Sequence, residues 1–252
     1  MSAAPGGKGP GTIRDVARTR TDPGRAAVAT RPPRLIRPAD RRQQILAAAA
    51  RLFAEHGFEA SSVREIAAAV KILPGSLYHH FATKEDMLHA IVRDAVQRFT
   101  AQHEALEALA GDAEYRLVAS VIARFRDFVD NWEVNAILWK DSALFRTREE
   151  FAYVQAAKTR SFKMQEKILV DGVRARLFRA DLDVYLMIGT IARLINSAGD
   201  WFRSNVFFHS DRPDAYTLDR TVAFHVDCVL RLVRAPERIA EPIDPAWLAI
   251  TG

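Results

Sequence analysis

Eighteen residues, at positions 70–87 (VKILPGSLYHHFATKEDM), constrain the fold of this chain more than any other stretch. The proline in this stretch has no backbone N–H to leave unpaired, so it suits the first turn of a helix, and we predict a short helix over Pro74–Phe81. Thr83 and Asp86 have the spacing of a capping box, which predicts a long helix that begins at Lys84. A tight connection, a short helix and the start of a long helix therefore follow one another here.

Two further helices are predicted before this stretch. Asp40 opens the first, whose apolar residues recur on one face until Gly57 ends it. Ser62 and Glu65 form a second capping-box pair, so the next helix begins at Ser62. The sequence thus predicts three helices in about forty-five residues. This is the pattern of a helix-turn-helix, whose second helix, here Pro74–Phe81, enters the major groove of DNA.

The predicted recognition helix needs one face for the protein core and one face for DNA. Leu73, Leu77 and Phe81 repeat every four residues, so we predict that they anchor the helix to the three-helix core. Small residues at its tip allow close approach to base edges, the Tyr78 hydroxyl can contact a phosphate, and Lys84 adds charge beside free amides. The predicted DNA-contacting residues are Arg41, Arg42, Ser62, Lys71, Pro74, Gly75, Ser76, Tyr78, His79 and Lys84.

These motifs resemble the DNA-binding domain of the TetR (tetracycline-repressor) family of bacterial regulators. The resemblance rests on RQQILAAAARLFAEHGFEASSVREIAAAV, at residues 42–70, and on the run from Gly75 to Leu88. It implies a helix-turn-helix reader followed by a larger helical domain that binds a small molecule and forms a homodimer. Ser62 stands where a threonine is usual, and Pro74 where a small polar residue is usual. A three-helix unit that only packs would leave the outward tyrosine, histidines and lysine without a purpose.

The positive charge of the chain is unevenly distributed. The net charge is +5 over 252 residues, but residues 1–39 hold eight Lys and Arg against two Asp, so the remainder carries −1. This arm is rich in Pro, Gly, Ala and Arg and lacks apolar periodicity, which predicts disorder. Two interpretations stay open: the arm tracks DNA phosphates in a salt-sensitive way, or it is a solvated tail or lies upstream of the natural start.

The remaining sequence also carries helical periodicity, and no long alternating run predicts a sheet, so the predicted fold class is all-α. Predicted helices lie at residues 84–103, 112–130, 132–145, 148–172, 183–203 and 217–234. The expected segments are a disordered basic arm at 1–39, a helix-turn-helix DNA-binding domain at 40–86, an effector-binding and dimerisation domain at 87–234, and an extended C-terminal tail at 235–252. The tail is expected to be extended because its prolines cannot continue a helix.

The last two long helices, Asp183–Arg203 and Thr217–Arg234, each have more apolar surface than one core face needs. The family resemblance places such a pair in a four-helix bundle with a second copy of the chain. A helix pair that is fully buried within one subunit is the alternative. A dimer would offer two recognition helices to half-sites about 34–36 Å apart, or a multiple of that spacing.

Aromatic, methionine and basic residues of the second domain are the candidates for an effector pocket. Ordinary core packing is the alternative for each aromatic, and a solvated helix face is the alternative for each basic residue. The predicted ligand-binding residues are Trp132, Trp139, Phe145, Tyr153, Arg160, Met164, Met187, Arg193 and Trp201.

A narrower resemblance concerns the effector itself. The runs ILPGSLYHHFATKEDML, LWKDSALFRTREEFAYVQAAKTRSFKMQEKILVDGV and FRADLDVYLM are similar to the steroid-catabolism repressor branch of the family. That resemblance implies a repressor released from its operator by an acyl-coenzyme A thioester. A generic hydrophobic or drug-like effector is the competing version. A ligand-independent dimeric architectural DNA-binding protein is the alternative function.

The inventory of reactive side chains argues against an enzyme. The histidines share no metal-site spacing with Cys228 or with acidic residues, and the sequence has no glycine-rich phosphate loop. We therefore expect no catalytic residue, no metal and no cofactor. Cys228 falls in an apolar helix as a buried thiol, with a redox sensor as the alternative. No apolar stretch reaches membrane-span length and no signal segment is evident, which predicts a cytoplasmic protein without a membrane partner.

Overall fold

The computed structural model describes the backbone of residues 41–204 and 217–249 and the side chains of residues 41–197 and 217–249. The predicted basic arm lies outside the described residues. The helices in chain order are α1 Arg41–His56, α2 Val63–Ala69, α3 Pro74–Tyr78, α4 Lys84–Glu107, α5 Ala113–Asp130, α6 Trp132–Lys140, α7 Ser142–Thr147, α8 Ala152–Arg174, α9 Val184–Ser204, α10 Leu218–Val233 and α11 Pro245–Leu248. Two 3-10 turns, Glu149–Phe151 and Pro236–Arg238, complete the elements of this part of the chain. The predicted all-α class is confirmed.

Both predicted capping boxes are present. The Glu65 amide donates to the Ser62 hydroxyl at 3.2 Å while the Ser62 amide donates to the Glu65 carboxylate at 2.8 Å. Thr83 and Asp86 exchange the same pair of hydrogen bonds, each 3.0 Å long. Each such cap contributes about 1 kcal/mol to the stability of its helix. The two boxes therefore fix where α2 and α4 begin, on either side of α3.

The recognition helix is shorter than predicted, because α3 ends at Tyr78 rather than at Phe81. Leu77 and Phe81 are buried as expected, but Leu73 is 75% exposed, so its predicted role as an anchor is wrong. Leu73 is the residue before the helix and has an extended backbone, with φ −71° and ψ 144°. The four-residue spacing of a helix face does not apply to a residue outside the helix.

The longer helices follow the prediction with one break. The predicted helix over 132–145 is divided at Asp141 into α6 and α7, and α4 continues to Glu107. None of the helices in the described part of the chain is long and apolar enough to cross a membrane. Cys228 is half-buried on α10, and burial raises the pKa of its thiol.

The apolar side chains form two cores. The first surrounds the helix-turn-helix and the start of α4, and it also takes in Ile137 from α6, Phe145 from α7 and Val154 from α8. The second core joins the end of α4 to α5, α8, α9 and α10. α4 and α8 contribute side chains to both cores. These two helices therefore connect the helix-turn-helix domain to the larger helical domain through packed side chains.

The segment after α10 is not the predicted extended appendage. Pro236 opens a 3-10 turn and Pro245 opens α11, positions where a missing N–H costs nothing. Trp247 packs edge-on against Tyr115 of α5, with 5.7 Å between the ring centroids. Residues 235–249 thus cover the start of α5.

Candidate DNA-binding surface and effector pockets

The surface around α3 is open, as a reading surface requires. Pro74, Gly75, Ser76 and His79 are exposed, and the Tyr78 side chain is 54% exposed. Apart from Gly75, its two chain neighbours and the adjacent helix backbone, no described atom lies within 4 Å of the place where a Cβ on Gly75 would stand. The helix tip can therefore approach the edges of base pairs closely.

Lys71 occupies the turn between α2 and α3 in a left-handed backbone conformation, with φ +57°. Left-handed residues commonly end helices, although glycine is the usual choice. The neighbouring amide of Ile72 donates to the Ala67 carbonyl at 3.0 Å and closes the turn. The Lys71 side chain is exposed at the edge of the α3 surface, where it can meet a phosphate.

Arg41 and Arg42 lie at the start of α1, and each contacts other residues of the helix-turn-helix domain. The Arg42 guanidinium stands 4.6 Å from the centroid of the Phe81 ring. The Arg41 guanidinium donates to the Gln44 side chain at 2.9 Å and to the Val70 carbonyl at 3.4 Å. An arginine has five N–H donors, so these two hydrogen bonds leave Arg41 further donors for a phosphate.

Two residues that were predicted to contact phosphates, Ser62 and Lys84, make hydrogen bonds within the protein. The Ser62 hydroxyl donates its one hydrogen to Glu65 at 2.7 Å, and this bond is the largest cause of the lowered pKa of that carboxyl. The Lys84 ammonium donates to the carbonyls of Phe58, Ser61 and Glu59 at 2.7, 3.0 and 3.4 Å. A lysine has three donors, so Lys84 is fully engaged in fixing α4 to the α1–α2 loop. Their phosphate contacts stay predictions.

The last turn of α1 and the same loop are held from the other side by residues whose role the sequence did not show. Lys140 donates to the Ala54 carbonyl at 2.6 Å, and the Phe58 amide donates to the Asp141 carboxylate at 3.2 Å. Burial raises the pKa of Asp141 above its ordinary value, although the Phe58 amide opposes the shift. The only local sign of these contacts in the sequence is the polar pair Lys140 and Asp141, which interrupts an apolar helix.

The predicted ligand residues do not surround one chamber. Phe145 is buried in the first core, edge-on to Phe151 at 5.0 Å between ring centroids. Tyr153 also packs on that core, with its hydroxyl 3.5 Å from the His89 Nδ1 atom. Trp132 packs on it as well. These three aromatics therefore connect α6, α7 and α8 to the reader, and the alternative of core packing applies to them.

The remaining predicted ligand residues divide between two places. Arg193 lies 4.4 Å from the centroid of the Trp139 ring and lines an open groove of about 630 Å³ along α9. Met164 lines a separate pocket between α4, α5 and α8. Arg160 is held by the carboxylates of Glu104 and Glu107. Met187 packs on the second core, and the side chain of Trp201 lies outside the described residues.

The interior between α4 and α8 also contains a buried polar contact. His103 is buried, with its two ring nitrogens 2.7 Å from the Phe99 carbonyl and 2.8 Å from the Ser161 hydroxyl. Burial is the main reason that the pKa of His103 is lowered, so the ring is neutral near pH 7. Within the described residues, no group of three or more His, Cys, Asp or Glu side chains is placed to hold a metal ion.

Comparison with known proteins agrees with this arrangement of a helix-turn-helix on a helical domain. Residues 45–91 match the family model for bacterial regulatory proteins of the tetR family. The chain is 33% identical over 151 residues to the HTH-type transcriptional repressor KstR2 of Mycolicibacterium smegmatis, covering 60% of this chain and 73% of the relative. It is 31% identical over 164 residues to KstR2 of Mycobacterium tuberculosis, covering 65% and 82%.

Solved structures give the same result. The ketosteroid transcriptional regulator KstR2 of Mycobacterium tuberculosis superposes with a TM-score of 0.70 at 27% identity, covering 78% of this chain and 96% of that chain. AibR, solved in complex with isovaleryl coenzyme A and operator DNA, superposes with a TM-score of 0.61 at 26% identity, covering 75% and 97%. The fold and its exposed reading helix define a helix-turn-helix regulator. This chain belongs to the tetR family, and its resemblance to the steroid-catabolism repressors is confirmed.

Proposed function

We propose that the chain is a sequence-specific DNA-binding repressor that works as a homodimer and leaves its operator when an acyl-coenzyme A thioester binds. The exposed surface of α3 on a rigid three-helix support is the observation that carries the proposal. Relatives that are named transcriptional repressors, and the AibR complex with a thioester and DNA, support it. The role is regulatory rather than enzymatic, and the place of action is the cytoplasm.

DNA reading in this proposal divides between α3 and its surroundings. Ser76 and the backbone at Gly75 face base edges in the major groove, because their small size lets the helix tip enter. The Tyr78 hydroxyl and the Lys71 ammonium contact phosphates, which set the register of the protein on the duplex. Arg41 and Arg42 add further phosphate contacts beside α3.

The dimer surface in this proposal is formed by α9 and α10. Tyr185, Leu186, Phe224 and Leu232 are large apolar side chains that the described part of one subunit leaves exposed. Two adjacent helices with such side chains give a four-helix bundle when a second copy packs on them. Two copies then hold two α3 helices at a fixed separation, which lets the dimer read two half-sites.

Release from the operator requires that the effector bind one arrangement of the dimer more tightly than the other. The 24-residue α4 runs from Lys84 at the reader to Glu107 in the second core, a length of about 36 Å. A ligand that displaces one end of this helix moves the Lys84 contacts at the other end. Coupling of about 1–3 kcal/mol, a factor of roughly five to 150, is typical of such systems.

The test is fluorescence anisotropy of the full chain with the duplex from immediately upstream of its own gene, at one fixed salt concentration. An unrelated duplex serves as the competitor, and acyl-coenzyme A thioesters of increasing chain length serve as effectors. Specific binding that one thioester abolishes supports the proposal. Binding no tighter than to the unrelated duplex refutes an autoregulatory operator, and specific binding that no thioester alters favours the ligand-independent architectural protein.

A matched pair of variants tests the reading surface. Tyr78→Phe removes one hydroxyl from α3, and we expect operator affinity to fall about tenfold, as for the loss of a hydrogen bond to a charged group. Tyr115→Phe removes the same hydroxyl from α5, where the ring packs on Trp247, and operator affinity should not change. Equal affinity of Tyr78→Phe and the parent would show that Tyr78 makes no useful contact.

A further inference from the structure

The residue before α3 is apolar at a position where a helix prefers a polar side chain. Leu73 is the N-cap of α3, and it makes no side-chain hydrogen bond to the first turn. The helices on either side, α2 and α4, begin instead with the hydroxyl caps of Ser62 and Thr83. A leucine is among the poorest N-caps, because it has no oxygen to accept from the free amides. The recognition helix therefore lacks a stabilising cap at its tip.

Burial within the subunit does not explain this leucine. The Leu73 side chain is 75% exposed, a larger fraction than Leu186 or Phe224 of the proposed dimer surface. Its neighbour Ile72, by contrast, packs on the first core. An exposed leucine gains almost none of the free energy that apolar burial supplies. The side chain is thus available to a partner outside the subunit.

The surroundings of Leu73 indicate what that partner is. Pro74 and Gly75 follow it at the tip of α3 and are also exposed, so three consecutive residues offer no polar side-chain group. Exposed polar residues, Ser76 and Tyr78, come next along the helix. An apolar tip beside polar groups suits a surface that is apolar at one point only. The edges of base pairs in the major groove form such a surface, and their one apolar group is the C5-methyl of thymine.

We propose that Leu73 packs against the C5-methyl group of a thymine in the major groove, and that it thereby selects a T·A pair at one position of each half-site. The inference rests on the proposed function and adds a base preference to it. Cytosine at the same position would lose the methyl contact and would place its N4 amino donor against a side chain that has no acceptor. Leu73 therefore discriminates between the two pyrimidines without making any hydrogen bond.

The size of the expected effect follows from the area of one methyl group. Burial of one such group against leucine is worth about a fourfold gain in affinity. A homodimer presents Leu73 to two half-sites, and distant contacts add in free energy, so loss of both methyl groups should weaken binding about sixteenfold. The contact therefore sets a preference at one base pair and leaves most of the affinity to the phosphate contacts.

The test begins with selection of bound duplexes from a random pool, using the full chain as parent and as Leu73→Ala. We expect the parent to select a thymine in each half-site that Leu73→Ala does not select, while the other selected positions stay the same. Leu73→Ala should fold as the parent does, because alanine is an equally poor cap and an exposed side chain loses little packing. Ile239→Ala, which shortens an exposed side chain in the turn after α10, is the matched control and should select as the parent does.

The parent's selected duplex is then remade with deoxyuridine at that thymine, which removes only the methyl group and keeps the base pair. Fluorescence anisotropy at fixed salt should show about fourfold weaker binding by the parent for each substituted half-site. Leu73→Ala should bind the two duplexes equally well. This double comparison assigns the methyl group to one side chain.

Leu73→Ser separates DNA reading from a structural role. Serine is a good N-cap, so the melting temperature should not fall and should rise if the hydroxyl caps α3, while operator affinity and the thymine preference are lost. A structural role for Leu73 would instead lower the melting temperature, and that result would overturn the proposal.

Two binding results would also overturn it: the parent and Leu73→Ala select the same bases, or the parent binds the deoxyuridine duplex as tightly as the thymine duplex. Either result leaves the proposed repressor function intact, because the parent still selects a defined sequence. A parent chain that selects no sequence from the pool refutes sequence-specific reading itself, and the base preference of Leu73 with it.

Discussion

The start and the end of α4 differ in how completely their polar groups are paired. At the start, the Lys84 ammonium uses all three of its donors on carbonyls of the α1–α2 loop, and its ring contact with Phe58 is 4.3 Å. At the end, the pocket beside Glu107 contains a buried guanidinium donor without an acceptor among the described residues. A saturated contact fixes geometry, while an unsaturated one gains free energy only when a ligand arrives. The start of α4 is thus fully paired, while a buried donor beside its end has no partner among the described residues.

The largest effect is expected at Phe145, which lies in the tightly packed core at the reader's side of the molecule. Phe145→Ala should lower the free energy of unfolding by about 3–5 kcal/mol, because it removes a buried ring and leaves a cavity. Urea denaturation followed by circular dichroism measures this. Trp139→Ala, at an exposed aromatic on the neighbouring helix, is the control and should change stability far less. A small loss of unfolding free energy for Phe145→Ala would argue against a core role and favour the predicted ligand contact.

Lys84→Ala tests the saturated end directly. Loss of a charged donor from the carbonyls of Phe58 and Ser61 should cost about 2–3 kcal/mol of stability, since hydrogen bonds to charged groups are individually strong. The same urea titration measures it, and operator affinity should fall only as far as the folded fraction falls. Unchanged stability together with weaker operator binding would show instead that Lys84 contacts a phosphate, as the sequence predicted.

Arg116→Gln tests the unsaturated end. Because Asp171 keeps its bond to Lys167 at 2.6 Å, and the Arg116 Nε atom has no described partner to lose, stability should fall by about 1 kcal/mol or less. The contrast with Lys84→Ala in parallel urea titrations is the informative quantity. Equal losses at the two positions would mean that both ends of α4 are structural.

Asp141 provides the smallest effect, visible only as a pH dependence. Its pKa in the folded state is raised above 3.8 by burial, so the folded state binds this proton more readily than the unfolded state does. The ionised form therefore costs stability above the folded pKa, and the cost disappears as the pH falls below the unfolded value. The stability of the parent relative to Asp141→Asn should rise from pH 7 to about pH 4. A constant difference across that range would show that the carboxyl is not perturbed.

What the sequence could predict was local. The capping pairs Ser62 with Glu65 and Thr83 with Asp86 lie three residues apart, so their spacing alone located α2 and α4. Leu73 was misassigned because a four-residue repeat carries no information on whether its first member is inside the helix. Asp141, at the break between α6 and α7, accepts a hydrogen bond from Phe58, 83 residues earlier, and no local pattern reveals that contact.

The candidate site follows the same rule: features set by residues close together in the sequence could be predicted, and features set by distant residues could not. The exposed residues of α3 follow from one short motif, and the structure leaves them open to solvent. The effector residues did not follow, because Phe145 and Met164 look alike as apolar positions on helices but belong to different cores. The carbonyl partners of Lys84 lie 23 to 26 residues earlier in the chain, so the sequence alone did not show these hydrogen bonds.

Stability and the proposed DNA affinity favour different residues at position 71, which is Lys71 in this chain. Its left-handed backbone at φ +57° costs a residue with a Cβ about 1–2 kcal/mol, a cost that glycine would not incur. Lys71 instead places a positive charge beside the recognition helix, where we propose that it contacts a DNA phosphate. Glycine at this position would remove that cost and give a more stable protein, but under the proposed phosphate contact of Lys71 it would also weaken DNA binding. The turn between α2 and α3 is therefore a position where engineering for stability and engineering for repression favour different residues.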